Sequence, residues 1–177
     1  MKLPLVKSTF VGLLVLIVAS MALAQDEAPP PWARFEPEGA GFSVLMPGKP
    51  VEAIDKRATY TMHSFALTLG RGNYVASYSD YAPEANLNPA TALTLNRDKF
   101  NKNIHAKMLS SREITLDGHR GIEFTSEIPA ANIRVQMFLI GNRMFQLATL
   151  VFKDVDETRN VDRFFDSFKF TTKTLPK

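Results

Sequence analysis

Three histidines, a close-set pair of glutamates and a few strand serines are the side chains in this chain with reactive chemistry to offer. His63 lies in an alternating stretch whose one face carries Phe65, Leu67 and Leu69. A lone imidazole on an apolar face is ordinarily a hydrogen-bonded core residue, and that is the expectation for it. His105 stands near the end of a helical stretch, where a cation complements the carbonyl end of the dipole. His119 follows the Asp117-Gly118 turn. No two histidines have metal-ligand spacing, and no His-Glu-x-x-His stretch occurs. The chain has no cysteine, which removes thiolate ligands, thiol nucleophiles and redox switching together.

The carboxylates and serines fare no better. Glu123 and Glu127 share a strand face beside Arg134. A glycosidase needs two acids flanking a sugar about 5 to 9.5 Å apart; cross-strand charge pairing on a solvated face is the plainer expectation. Asp154, Asp156 and Glu157 lack the glycine and distal glutamate of a calcium loop, so they read as helix-start acids. Ser77, Ser110 and Ser111 have no base placed by sequence, and there is no Gly-x-Ser-x-Gly elbow. Prolines flank Gly48-Lys49 and no helix follows, which excludes a phosphate cradle. Gly70-x-Gly72 joins two strands. Tyr74 and Tyr78 fall on one side of a strand with Asp80 beyond them; a cap on the core beneath a helix is favoured over an exposed recognition patch. No catalytic, cofactor-binding or metal-ligating residue is assigned.

The elements that would position these groups are mostly strands. Phe42, Val44 and Met46 alternate and stop at Pro47-Gly48. Stretches at 60–69 and 74–81 flank a glycine turn. A third stretch ends in Ile114 and Leu116 before Asp117-Gly118, and Ile122, Phe124, Ser126 and Ile128 then alternate with polar residues. A tight connection at Pro129-Ala130 sets Phe124 against Val135, Ile122 against Met137 and Glu123 against Gln136, although Pro-Ala is not a favoured hairpin pair. Gly141-Asn142 suits a type II′ turn and sets Leu139 against Met144, Phe138 against Phe145 and Ile133 against Leu150. A one-residue slip would turn every side chain over, so this apolar agreement is informative. The stretch 144–152 is apolar on both faces and should lie centrally.

Two segments change to the helical period. Asn88-Pro89 reads as an N-cap and first helical residue, with Leu93, Phe100 and Ile104 on one side. Val161, Phe164, Phe165 and Phe168 follow the i, i+3, i+4, i+7 rule, and Asp154 with Glu157 has capping-box spacing. A short final strand is expected over 168–172. Helices covering an antiparallel meander make the fold class α+β.

The first residues give an address. Lys2 and Lys7, an apolar run over 10–19 and Ala22-Leu23-Ala24 form the order of a secretory signal peptide, with cleavage expected after Ala24. The run is shorter than a membrane-spanning helix requires, so no stable span is expected after cleavage. Of the 177 residues, about 150 would remain, enough for one domain. The formal net charge of +3 falls toward neutrality once the two leader lysines leave. A near-neutral chain has no field to attract nucleic acid. Residues 25–37, with Pro29-Pro30-Pro31, read as a semi-rigid leader before a single domain over 38–177; Trp32 and Phe35 are candidates to tuck onto its edge.

Several stretches together resemble exported bacterial proteins with a PsbP-like fold: Gly41-Phe42-Ser43-Val44 with Pro47-Gly48-Lys49-Pro50, Gly118-His119-Arg120-Gly121-Ile122-Glu123-Phe124, Gly141-Asn142-Arg143-Met144-Phe145, and Phe164-Phe165-Asp166-Ser167-Phe168. That fold is shared with the extrinsic photosystem II protein and a Ran-binding nuclear import factor. The resemblance implies an antiparallel sheet sandwiched by helices, serving in binding or assembly, and carries over no site residue. Neither photosynthesis nor nuclear import follows, because fold does not fix function. The function expected is therefore an exported, non-enzymatic binding or assembly module in the periplasm or secreted fraction, without cofactor, whose partner is an extracytoplasmic protein or small ligand. The alternative is an enzyme or small-ligand carrier whose site assembles from scattered residues such as His63, Tyr78 and Arg97.

Overall fold

A seven-stranded antiparallel sheet forms the middle layer, and its two faces are covered by different devices. The computed structural model describes residues 31–85 and 87–171; the leader up to residue 30 lies outside them. The strands are β1 (Ala33–Phe35), β2 (Phe42–Met46), β3 (Val51–Lys56), β4 (Tyr60–Leu69), β5 (Gly72–Tyr81), β6 (Lys107–Leu116), β7 (His119–Ile128), β8 (Ala131–Ile140), β9 (Arg143–Phe152) and β10 (Lys169–Phe170). The helices are α1 (Pro89–Asn103) and α2 (Thr158–Asp166). The large sheet runs β3-β4-β5-β9-β8-β7-β6, and a small sheet runs β1-β2-β10.

The β7–β8–β9 meander has the register read from sequence. Phe124 faces Val135 and Glu123 faces Gln136, while Phe138 faces Phe145 and Ile133 faces Leu150. Turn chemistry sets the hairpin registers, of β8–β9 and also of β6–β7. Gly141 has φ +55° at the first turn position, and Asp117 (φ +51°) with Gly118 (φ +80°) are both left-handed, as an Asp-Gly type I′ turn requires. The strand read as central, β9, has β5 on one side and β8 on the other.

One face carries Ile122, Phe124, Val135 and Met137 under Leu93, Phe100 and Ile104 of α1. The Asn88 side chain caps this helix, accepting from the Ala90 N–H at 2.9 Å. The opposite face carries Phe65, Tyr74, Phe138 and Phe145 under α2 and the small sheet, with Phe42, Phe164 and Phe168 at the centre. Trp32 and Phe35 pack on this second core. Ala33–Phe35, at the end of the proline-rich stretch, thus pairs with β2 as a strand.

Two expectations need correction, and one strand was not read from the sequence. The capping box does not form. Asp154 binds Arg71 at 3.0 Å, and Glu157 occupies the cap position without a side-chain cap bond. Asp156 takes over, accepting from the Thr158 N–H at 3.0 Å. Val51–Lys56, which carries no clean alternation, is an edge strand. The final strand is shorter than expected, Lys169–Phe170, pairing with Ser43 and Phe42 of β2; Thr172 lies outside the described residues.

Gly121 shows how tight the second core is. A Cβ there would enter the Phe138 ring and stand 2.7 Å from the Met137 carbonyl oxygen. Phe138 is stacked on Phe168 and edged by Phe170, so its ring has nowhere to retreat. Gly121→Ala should therefore destabilise by about 1–3 kcal/mol. Chemical denaturation measures this, and a variant as stable as the parent would show that the ring can yield.

Candidate functional site

On the face covered by α2, β3, β4, β5 and β9 bring five polar or aromatic groups into one row. His63 and Tyr78 are direct cross-strand partners, and their rings stack with centroids 4.7 Å apart and planes 4° from parallel. The His63 Nδ1 lies 3.0 Å from Glu52 Oε1 on the edge strand. Arg143 approaches from β9, on the other side of β5, with its guanidinium carbon 4.5 Å from the Tyr78 ring centroid. It forks onto Asp80, Nε to Oδ1 at 2.6 Å and Nη2 to Oδ2 at 2.8 Å. Its Nη1 donates to the carbonyls of Gly39 and Ala40 at 2.7 and 3.1 Å, tying the β1–β2 connection to the sheet.

The chemistry this row can perform is restricted. Tyr78 is buried, and burial pushes its phenol up; Arg143 opposes this, while Asp80 and Glu52 add to it. A phenol held protonated serves as a donor and a stacking platform, not as a base. Arg143 has its fork committed to Asp80 and its remaining arm to backbone. The row is a self-satisfied ladder of stacked and paired groups.

Of the scattered residues read as a possible site, His63 and Tyr78 do converge. Arg97 does not. It lies on α1, across the sheet, bound to Asp98 at 2.8 Å and Ser111 at 2.9 Å. The cation beside Tyr78 is instead Arg143. The β4–β5 turn at Gly70-Arg71 would have paired His63 with Tyr78. Arg143 reaches Asp80 only through β5–β9 pairing, which leaves no local trace.

The Glu123 cluster corrects a further expectation. A solvated face does not describe Glu123, which is only 7% exposed. Its Oε1 accepts from both Nε and Nη2 of Arg112, the former at 2.8 Å. Its Oε2 accepts from Arg134 Nε and Nη2 at 3.0 and 2.8 Å and from Gln136 Nε2 at 2.8 Å. Arg134 also reaches Asp162 of α2 at 2.8 Å and lies over the Phe165 ring, 4.5 Å from its centroid. The cluster is a clasp across β6, β7, β8 and α2. Glu127 does remain a surface residue in character, paired with Lys153 at 2.7 Å and Lys107 at 3.5 Å.

The remaining candidates are dispersed. Tyr74 is fully buried beneath α2, edge-on to Phe164, and its hydroxyl has no hydrogen-bond partner among the described residues. Burial, and then the nearby Glu157 carboxylate, push its phenol to about 12. His105 follows α1 with φ +54°, and His119 opens β7 with its ring edge-on to Phe170. Among the described residues, no three His, Asp or Glu side chains are placed to hold a metal ion. Two open depressions of about 250 and 220 Å³ are lined by His105, Lys107, Glu127 and Lys153 in one case and by the 57–61 and 80–82 segments in the other. Neither includes His63 or Tyr78.

These layers define an α+β sandwich: one antiparallel sheet with a helix on each face. The solution structure of cyanobacterial PsbP (CyanoP) from Synechocystis sp. PCC 6803 is similar, with a TM-score of 0.54 over 85% of this chain and 98% of that one, at 13% identity. The chain thus has a PsbP-like fold. No protein-family model and no curated protein sequence matches it. Among the described residues, no helix is long and apolar enough to cross a membrane.

Proposed function

We propose that this chain is a non-enzymatic binding or assembly module that works outside the cytoplasm, in the periplasm or secreted fraction, on an extracytoplasmic protein partner. In this reading residues 1–24 are a signal peptide cleaved after Ala24, and residues 25–37 are a leader whose Ala33–Phe35 segment is drawn as β1 into the single domain over 38–177. The observation that carries it is that the charged groups at the centre of the two polar clusters are met from within the chain. Asp80 and Glu123 each have their charge met by arginines of this chain. Groups committed to one another hold a fold rigid and leave recognition to the outer surface. The enzyme or small-ligand carrier alternative loses one of its three residues, since Arg97 faces away from His63 and Tyr78.

Affinity capture from an envelope fraction, with native mass spectrometry of the eluate, tests the reading. A stoichiometric protein complex is expected, on a chain whose mass begins at Gln25. A chain retaining Met1, or one that elutes alone from both experiments, would end it.

A further inference from the structure

The large sheet has two open edges, β3 and β6, and they are not alike. An unpaired edge is a template for another strand unless the fold blunts it. β6 is interrupted where it is apolar: its register with β7 shifts between Met108 and Ser110, so its two exposed apolar side chains, Met108 and Leu109, sit at a bulge, and the regular ladder over Ser110–Leu116 carries none. β3 has no such break. It pairs with β4 without interruption from Val51↔Ala66 to Lys56↔Thr61. It also presents Val51 at 73% and Ile54 at 52% exposure, two of the five large apolar side chains that are exposed among the described residues.

We propose that β3 is the interface of a two-fold homodimer, in which the strand pairs antiparallel with its own copy about Ile54. The sequence of the strand is self-complementary in that register. A two-fold axis normal to the sheet keeps each copy's faces on the same side, so directly opposed residues share a face. Ile54 then meets the partner's Ile54, and each removes the other's exposed side chain from water. Glu52 meets Lys56 of the partner subunit, and Lys56 meets Glu52 of the partner subunit. Lysine on an edge usually deters pairing; here its symmetric mate is an acid. Lys56 makes no ion pair within the chain among the described residues. Glu52 is half-exposed beyond its bond to His63. On the other face Asp55 lies diagonal to the partner's Asp55, each already bound by its own Arg57 at 2.9 Å. The two sheets would join as one continuous sheet, and β6 would become the only kind of open edge left.

Five paired strand residues, Glu52–Lys56, make a small interface, so the full chain, purified as the cell processes it, should show a monomer–dimer equilibrium with a dissociation constant on the order of 100 µM in sedimentation velocity. Glu52→Lys and Lys56→Glu each place two like-charged pairs across the axis and should each weaken dimerisation at least about tenfold. Mixing the two variants sets a lysine of one chain against a glutamate of the other at both positions and should restore association as a heterodimer. Lys56→Glu breaks no ion pair among the described residues, so it reports on the interface even if loss of the Glu52–His63 bond disturbs β4. The proposal is overturned by a wild-type chain that stays monomeric up to about 1 mM, by single variants that dimerise as well as the parent, or by a mixture that fails to associate.

Discussion

Replacing Glu123 with alanine should remove about 3–5 kcal/mol of unfolding free energy at neutral pH, the loss expected when one partner of a buried ionic cluster is taken away and the others remain. Arg112 and Arg134 would keep their charges at a site built for a carboxylate, and Gln136 would lose its acceptor. The consequence reaches further than one strand pair, because Arg134 also holds α2 through Asp162. The effect should depend on pH with a definite sign. Burial pushes the Glu123 carboxyl up, but hydrogen bonds from Gln136, Arg134 and Arg112 and the charge of Arg134 outweigh it, leaving the group below the ordinary carboxylate range. A group that releases its proton more readily in the folded than in the unfolded chain stabilises the fold above its unfolded pKa. That contribution disappears as pH falls through the carboxylate range toward the folded value. The difference between parent and variant should thus be largest near pH ~7 and shrink toward pH ~3. Urea unfolding of both proteins at the two pH values measures it. A gap that is constant with pH, or below about 1 kcal/mol at neutrality, would mean that the cluster is solvated.

Glu123 also marks where sequence reading stops. Its neighbours in the sheet were legible, because tight turns fix hairpin register: Pro129-Ala130 places it opposite Gln136 and next to Arg134's strand position. Its burial was not. That depends on α2 arriving over β8 from a distant part of the chain, and nothing in the local alternation of β7 records the arrival. The same division runs through the fold. Gly141-Asn142 aligned β8 with β9 because a two-residue turn permits one register. The β5–β9 pairing, which fuses the two halves of the sheet and brings Arg143 to Asp80, joins segments with two hairpins and a helix between them. Ala33–Phe35 was hidden by its proline-rich surroundings, and β3 by charges at Glu52, Asp55 and Lys56 that an edge strand tolerates and a central strand does not. Of the candidate row, His63 and Tyr78 lie on adjacent strands of one hairpin, whereas Glu52 and Arg143 come from strands on either side. Local periodicity finds faces; it does not find which faces meet.

The small sheet offers the sharpest test of whether those meeting faces form one cooperative body. Phe42 on β2 is fully buried, with its ring 6.4 Å from Phe65, 6.3 Å from Phe145 and 5.6 Å from Phe168, centroid to centroid. It touches β4, β9 and the segment after α2, so its ring is where the small sheet, the large sheet and the C-terminal helix lean on one another. Truncation leaves a cavity lined by rings that are themselves locked: Phe168 is stacked on Phe138, and Phe145 is edged by Phe170. A site that cannot collapse bears the cavity cost in addition to the lost transfer free energy, so Phe42→Ala should cost about 3–5 kcal/mol. Phe42→Leu, which retains most of the volume, should cost well under half of that, and Leu95→Ala on the exposed side of α1, where the side chain is 56% accessible, should stay within about 0.5 kcal/mol. Guanidinium unfolding of the three variants, followed by far-ultraviolet dichroism and by Trp32 fluorescence, reads both stability and cooperativity. Trp32 packs edge-on against Tyr74 with Arg163 over its ring, so it reports on the small-sheet side of the core. Coincident transitions shifted together by Phe42→Ala would establish a single folding unit. A fluorescence transition that moves while the dichroism transition stays would show the small sheet melting from an intact seven-stranded layer.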